Sequence, residues 1–123
     1  MIQSISPAQL ARYRASAQKR EQKRTQSHQQ RQQQGWRVAH QAAQILKQEL
    51  GAKRVLLFGS MLHLKRIHNE SDLDLAVEGL PDQQYLQAVA RLLDLSDLSV
   101  DLVQLEHTTP NLRTVIKTEG VEL

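Results

Sequence analysis

Cysteine is absent from this sequence of 123 residues, so neither a disulfide bond nor a thiolate metal site can form. No apolar stretch approaches the length of a membrane-spanning helix, and the first residues, MIQSISPAQLARYR, lack the apolar core of a signal peptide. These absences predict a cytoplasmic protein with no membrane partner. A chain of this length favours one domain with a single modest core.

Aromatic residues are also scarce, at 3% of the chain, and the charges are unevenly divided. Residues 8–34 carry seven Lys or Arg and one acid, whereas residues 35–123 carry nine basic and twelve acidic side chains. We therefore divide the chain into a basic, glutamine-rich helical arm (residues 1–35) and a mildly acidic domain (residues 36–123).

The arm has the sequence features of a long helix. Ser6 is the expected N-cap, Pro7 occupies the first helical position, and Gln9 completes a capping box. After Tyr13 the only apolar side chains of the arm are alanines, and a helix that is polar on all sides is either solvated or packed against another molecule. Clustered Lys and Arg can contact phosphates, but a single aromatic residue offers little stacking surface, so nucleic-acid binding is not favoured over docking of a protein partner.

The domain alternates helical and strand-like segments, which predicts an α/β fold. The expected elements are a helix over 36–50, a strand over 54–58, a short helix over 61–66, a loop over 67–71, a strand over 72–77, a helix over 83–93, a strand over 98–105 and a helix over 110–119. We expect a small mixed, partly antiparallel sheet of three or four strands with helices on one face, preceded by the long N-terminal helix.

Two aspartates interrupt the second apolar strand, where a buried and unpaired carboxylate would be costly. Because side chains alternate along a strand, Asp72 and Asp74 share one face, and Leu73 and Leu75 face the core. Asp101 joins them if its strand is a neighbour. Carboxylates crowded on one face repel one another unless a divalent cation lies between them, and hard oxygen ligands select Mg²⁺ or Mn²⁺.

A Gly-Ser pair precedes the aspartates in the chain, and we consider the two features together as one candidate motif. Gly59 allows the backbone to approach a phosphate closely, and a helix opening at Ser60 would offer free N–H groups. Either feature alone is common, as a turn or as an exposed strand face. Their joint order favours two-metal phosphoryl transfer, in which one ion activates an attacking hydroxyl and the other holds the triphosphate.

These residues resemble the motif of the polymerase-beta-type nucleotidyltransferase superfamily. The matching segments are Gly59-Ser60, Ser71-Asp72-Leu73-Asp74-Leu75 and Val100-Asp101-Leu102, with eleven residues between Ser60 and Asp72. The short chain is similar to the minimal nucleotidyltransferase (MNT) branch over roughly residues 36–123. With its basic helical arm and TEGVEL ending, it resembles bacterial MNT antitoxins, which transfer AMP from ATP to a tyrosine of a HEPN ribonuclease toxin.

The resemblance implies a role for each motif residue. Asp72 and Asp74 would be metal ligands, and Asp101 would be the third ligand and would orient or deprotonate the attacking hydroxyl. Gly59 and Ser60 would hold the triphosphate of ATP, with two Mg²⁺ ions, or Mn²⁺, as cofactors. Many family members have one residue fewer in the gap and an Ala-Arg-Gly after the Gly-Ser. The lysine and arginine that could supply the missing positive charge here are Lys65 and Arg66.

Little of the chain is left to form a pocket for the group that accepts the nucleotide. A partner protein that brings its own hydroxyl and docks through the arm would solve this. The resemblance implies that this partner is a HEPN toxin in a hetero-oligomer. Two alternatives remain open at this point. One is transfer to a small-molecule hydroxyl, and the other is a non-catalytic antitoxin that neutralises its partner by binding alone.

Overall fold

The computed structural model describes residues 4–123 as a four-stranded sheet with three α-helices. The elements are α1 (Pro7–Gln44), β1 (Arg54–Phe58), β2 (Leu73–Glu78), α2 (Tyr85–Leu93), β3 (Val100–Gln104), α3 (Pro110–Glu119) and β4 (Val121–Glu122). A π-helical turn, Ile45–Glu49, extends α1, and short 3₁₀ turns cover Ser60–Leu62, Leu64–Arg66, Asp82–Gln84 and Leu105–His107. Among the described residues, no helix is both long and apolar enough to span a membrane.

The sheet is mixed, which confirms the expected fold class. Its strand order is β3-β2-β1-β4, with β1 antiparallel to both β2 and β4, and β2 parallel to β3. The strand β4 has only two residues and pairs Val121 and Glu122 with β1. A segment this short carries no alternation that a sequence pattern could reveal.

Helices cover both faces of the sheet, so the expectation of helices on one face is wrong for α3. Side chains at alternate positions of β1 and β2, such as Val55 and Leu75, pack with α1 and α2 in the larger core. On the opposite face, Leu56 and Ala76 pack with Ile116 of α3. The reason is that β1 and β2 are apolar at consecutive positions, as strands buried on both faces are.

Within α3 only one of the three large apolar side chains is buried. Ile116 is fully buried, whereas Leu112 and Val115 are 38% and 47% exposed. The second core is therefore small, and it covers only part of that face of the sheet.

The arm and the first core helix form one continuous helix of 38 residues. Its capping box is confirmed: Gln9 N donates to Ser6 Oγ at 3.1 Å, and Ser6 N donates to Gln9 Oε1 at 2.9 Å. Gly35 is buried where α1 crosses Met61, and a Cβ there would lie 2.5 Å from Met61 Sδ. Helix α1 passes through residue 35 without interruption. The domain boundary that we place at this residue stays a prediction.

Candidate active site

The structure places two of the predicted carboxylates side by side. Strands β2 and β3 are adjacent and parallel, and their register pairs Asp74 with Asp101. Residues paired in this way project from the same face of a sheet. Asp72 lies two residues before Asp74, at the entrance to β2. The expectation that the two strands are neighbours is confirmed.

The glycine turn meets the Asp74 carboxylate at the end of β1. Phe58, the last residue of β1, pairs with Asp74, and Gly59 then reverses the chain with a φ of +84°. A Cβ on Gly59 would overlap Asp74 Oδ2 and would lie 3.2 Å from Asp74 Cγ. Only a glycine leaves room for this carboxylate, so the two halves of the motif form one site.

The three carboxylates repel one another, and the pKa of Asp74 is raised by burial and by this repulsion. Burial, followed by the negative charges of Asp101 and Asp72, raises the pKa of Asp74 to about 6. Asp72 and Asp101 are exposed, so Asp74 is the most enclosed of the three. The site therefore has excess negative charge that a cation would balance.

The chemistry of the donor set fits a hard divalent cation. Carboxylate oxygens on one sheet face are the ligands that Mg²⁺ and Mn²⁺ prefer. Within residues 4–123, no three His, Cys, Asp or Glu side chains are already close enough to form a complete metal site. Mutual repulsion keeps such side chains apart when no cation lies between them. The assignment of Asp72, Asp74 and Asp101 as metal ligands stays a prediction.

The segment after the glycine is not the single short helix that the sequence suggested. It forms two 3₁₀ turns, Ser60–Leu62 and Leu64–Arg66, separated by His63 in an extended conformation. A three-residue turn has almost no dipole, so it adds little to the attraction of the Ser60 N–H group for a phosphate. The close backbone approach at Gly59 is the feature that remains available for a phosphate group, and phosphate binding by Gly59 and Ser60 stays a prediction.

Lys65 and Arg66 are exposed on the second of these turns. Lys65 lines a groove of about 470 Å³ together with Arg24 and His28 of the arm, and none of the three aspartates lies in that groove. The structure thus places Lys65 against the arm, and a role for Lys65 and Arg66 in binding the triphosphate stays a prediction.

Open space lies next to Asp101, on the outer side of β3. A groove of about 490 Å³ extends from Asp101 to Leu112 at the start of α3, with Tyr85 and His107 among its lining residues. The hydroxyl of Tyr85 donates to the carbonyl oxygen of Leu102 at 2.8 Å, which caps part of the unpaired edge of β3. A reactant can therefore reach the Asp101 carboxylate from this side.

Two contacts of α1 with the site loops were not evident from the sequence. Arg31 Nε and Nη2 donate to the carbonyl oxygen of Ser71 at 3.2 and 2.9 Å. Gln32 Nε2 donates to the carbonyl oxygen of Met61 at 3.1 Å. In the sequence these are one arginine and one glutamine among many in a polar helix, so no local signal distinguishes them.

Comparison with protein families gives one match, to the family described as polymerase beta, nucleotidyltransferase. It covers residues 40–123, which is more than half of the chain and includes all of the motif. No curated protein matches the chain.

Solved structures with a similar fold include toxin–antitoxin proteins. The pair MntA-HepT gives a TM-score of 0.53 at 22% identity, over 69% of this chain and 68% of that chain. A toxin–antitoxin structure with AMP-PNP gives 0.54 at 26% identity, over 64% and 66%. A tri-AMPylated Shewanella oneidensis HEPN toxin in complex with an MNT antitoxin gives 0.53 at 22%, over 72% and 70%. At these identities the likeness establishes a shared fold.

Proposed function

Because the chain belongs to the polymerase beta nucleotidyltransferase family, we propose that it transfers AMP from ATP to a tyrosine hydroxyl of a HEPN toxin and so inactivates it. The observation that carries the proposal is the arrangement around Asp74. Its strand register pairs it with Asp101, and its carboxylate lies against Gly59. Acidic ligands and a close backbone approach thus meet at one point, as nucleotidyl transfer requires.

Each residue of the site has a task in this reaction. Asp72, Asp74 and Asp101 would hold Mg²⁺, which when bound neutralises the charge of the triphosphate and of the departing pyrophosphate. The backbone at Gly59 and Ser60 would contact the phosphates. The acceptor oxygen forms a bond to the α-phosphorus, and the bond from that phosphorus to the bridging oxygen of the β-phosphate breaks. The acceptor proton passes to the exposed carboxylate of Asp101.

The comparisons support a protein as the acceptor. One structural neighbour contains an AMPylated HEPN toxin bound to its MNT antitoxin, and another contains AMP-PNP. The groove beside Asp101 is open to solvent, so it can admit a side chain from another protein. The exposed part of α1 lies outside the residues that the family model matches and provides a surface on which a toxin could dock. A requirement for ATP would be met in the cytoplasm, where we propose that the pair acts.

Labelled nucleotide tests this proposal directly. The protein is incubated with ATP labelled at the α-phosphate, Mg²⁺ and a HEPN toxin from the same genome, and the products are separated by gel electrophoresis and chromatography. Label on the toxin, lost on chelation of Mg²⁺ and in Asp74→Asn, is the expected result.

The same experiment distinguishes the two alternatives. Label only on small molecules would refute a protein acceptor. An Asp74→Asn variant that still neutralises the toxin in full, together with a parent protein that transfers no label, would identify an antitoxin that acts by binding alone.

A further inference from the structure

Two consecutive residues of α1 bind the two loops that form the proposed active site. Arg31 donates two hydrogen bonds to the carbonyl oxygen of Ser71, at 3.2 and 2.9 Å. Gln32 donates one to the carbonyl oxygen of Met61, at 3.1 Å. Ser71 directly precedes Asp72 in the chain, and Met61 directly follows Ser60. A single turn of the helix therefore contacts both halves of the motif.

The loop that ends at Ser71 is closed by its own hydrogen bonds and is fixed to the helix by Arg31. Ser71 is only 2% exposed, its hydroxyl accepts from His68 N at 2.8 Å, and its N–H donates to His68 O at 3.0 Å. The carbonyl that Arg31 binds belongs to the peptide group joining Ser71 to Asp72. A change in the orientation of this peptide would redirect the Asp72 side chain.

Helix α1 packs closely on Met61 at Gly35, and this packing sets the distance between Gln32 and the carbonyl oxygen of Met61. Met61 is fully buried, and its side chain occupies the space in which a Cβ on Gly35 would lie. Gln32 lies one helical turn before Gly35, on the same side of the helix. This packing holds the amide of Gln32 within reach of the Met61 carbonyl.

We propose that Arg31 and Gln32 are positioning residues that fix Asp72 relative to the Gly59-Ser60 turn. This inference rests on the nucleotidyl transfer proposed above. Both residues lie outside residues 40–123, which the family model matches, so the long helix adds to this site a support that the family model does not include. An arginine suits the task because its guanidinium can direct two N–H groups at one carbonyl oxygen.

The decisive comparison is Arg31→Gln against Arg37→Gln. Both substitutions remove one positive charge from α1, but Arg37 is exposed and forms none of these contacts. We expect Arg31→Gln to speed hydrogen exchange of the backbone amides in 68–72 and to weaken Mn²⁺ binding about 10- to 100-fold, the usual effect of losing a residue that supports a metal ligand. Arg37→Gln should leave both quantities unchanged.

Rescue by a conservative variant separates positioning from general stabilisation. Arg31→Lys keeps one donor for the Ser71 carbonyl, so it should recover most of the Mn²⁺ affinity. It also provides the comparison with the parent protein if Arg31→Gln does not fold. Gln32→Ala should speed exchange at Leu62 and His63, whose N–H groups donate to the carbonyl oxygens of Gly59 and Ser60 at 3.2 and 3.1 Å, with little effect on residues 68–72.

Two outcomes would overturn the inference. One is unchanged amide exchange and Mn²⁺ affinity in a folded Arg31→Gln variant, and the other is equal losses in Arg31→Gln and Arg37→Gln. A parent protein that transfers no nucleotide would refute the proposed function instead, because amide exchange and Mn²⁺ binding are measured without ATP.

Discussion

The carboxylate of Asp74 lies against the backbone of Gly59, with Asp74 Cγ 3.2 Å from the position that a Cβ on Gly59 would take. These residues come from adjacent antiparallel strands, since Asp74 pairs with Phe58. Gly59 is required for two reasons. Its φ of +84° is unfavourable for other residues, and any side chain would displace the carboxylate.

The substitution Gly59→Ala should abolish nucleotidyl transfer as well as reduce stability. Strain from the positive φ should lower the free energy of unfolding by about 1–2 kcal/mol. Displacement of Asp74 should lower the transfer rate about 100-fold or more, as misplacement of a reacting group by about 1 Å does. Chemical denaturation and the labelled-ATP assay measure the two effects.

Gly51→Ala is the matched control for this substitution. Gly51 has a nearly identical φ of +85°, but the nearest atom to its Cβ position is Pro81 Cδ, at 4.0 Å. The control should lose similar stability and keep its transfer rate. Equal transfer rates in the two variants would contradict the role given to Gly59.

The substitution Asp74→Asn should separate activity from stability. It removes a half-buried charge that Asp101 and Asp72 repel, so the melting temperature in EDTA should rise. The transfer rate should fall by about 100-fold or more, because a ligand of the cation is lost. Asp97→Asn changes the same charge in an exposed turn and should alter neither quantity. A lower melting temperature for Asp74→Asn in EDTA would argue against this electrostatic account.

The stability of the metal-free protein should depend on pH through Asp74. Burial raises the pKa of Asp74 to about 6 in the folded state, from 3.8 for a free aspartate. Between these values the folded state binds more protons than the unfolded state, so stability from this group is present at low pH and is lost as pH rises through about 6.

The measurement for this effect is urea denaturation in EDTA, from about pH 4 to about pH 7, on the parent protein and on Asp74→Asn. The stability of the parent relative to the variant should fall as pH rises. Affinity for Mn²⁺ should show the opposite trend and increase through about pH 6, because the cation competes with the proton. If the difference in the free energy of unfolding between the two proteins did not change with pH, the raised pKa of Asp74 would be refuted.

Packing of α1 on Met61 predicts that Gly35→Ala is destabilising. Alanine is favoured over glycine within a helix by about 1 kcal/mol, but here its Cβ would lie 2.5 Å from the fully buried Met61 Sδ. In a Met61→Ala background the overlap is removed, so the same substitution should become stabilising. Thermal denaturation of the parent, the two single variants and the double variant tests whether Gly35→Ala changes from destabilising to stabilising. If Gly35→Ala changed the melting temperature equally in both backgrounds, the contact between Gly35 and Met61 would be ruled out.

Features determined by neighbouring residues were predictable from the sequence. The capping box joins residues three positions apart, and β1 has the predicted bounds, Arg54 and Phe58, around the apolar run that starts at Val55. The bounds of α3 were also predicted, at Pro110 and Glu119, and Thr109 Oγ1 caps its start by accepting from Leu112 N at 3.3 Å. The spacing of the Gly-Ser pair and the aspartates also indicated that they act together.

Local patterns failed where packing selected the conformation. Residues 61–66 have helix-forming side chains, but the chain must return to Asp72 within the eleven residues that follow Ser60, and it does so in short turns. Likewise, the apolar positions of α3 did not reveal which face of the sheet the helix would cover. That outcome depended on consecutive apolar residues in β1 and β2, which require burial on both faces.

The sequence by itself determined the long capped helix, the first three strands and the residue types of the site, because these follow from side-chain periodicity and from hydrogen bonds between near neighbours. Only the tertiary structure decided the register of Asp74 with Asp101, the contact of Asp74 with Gly59, and the hydrogen bonds from Arg31 to Ser71, 40 residues away. These contacts join distant parts of the chain, and their geometry is set by how the helices and strands bury their apolar faces together.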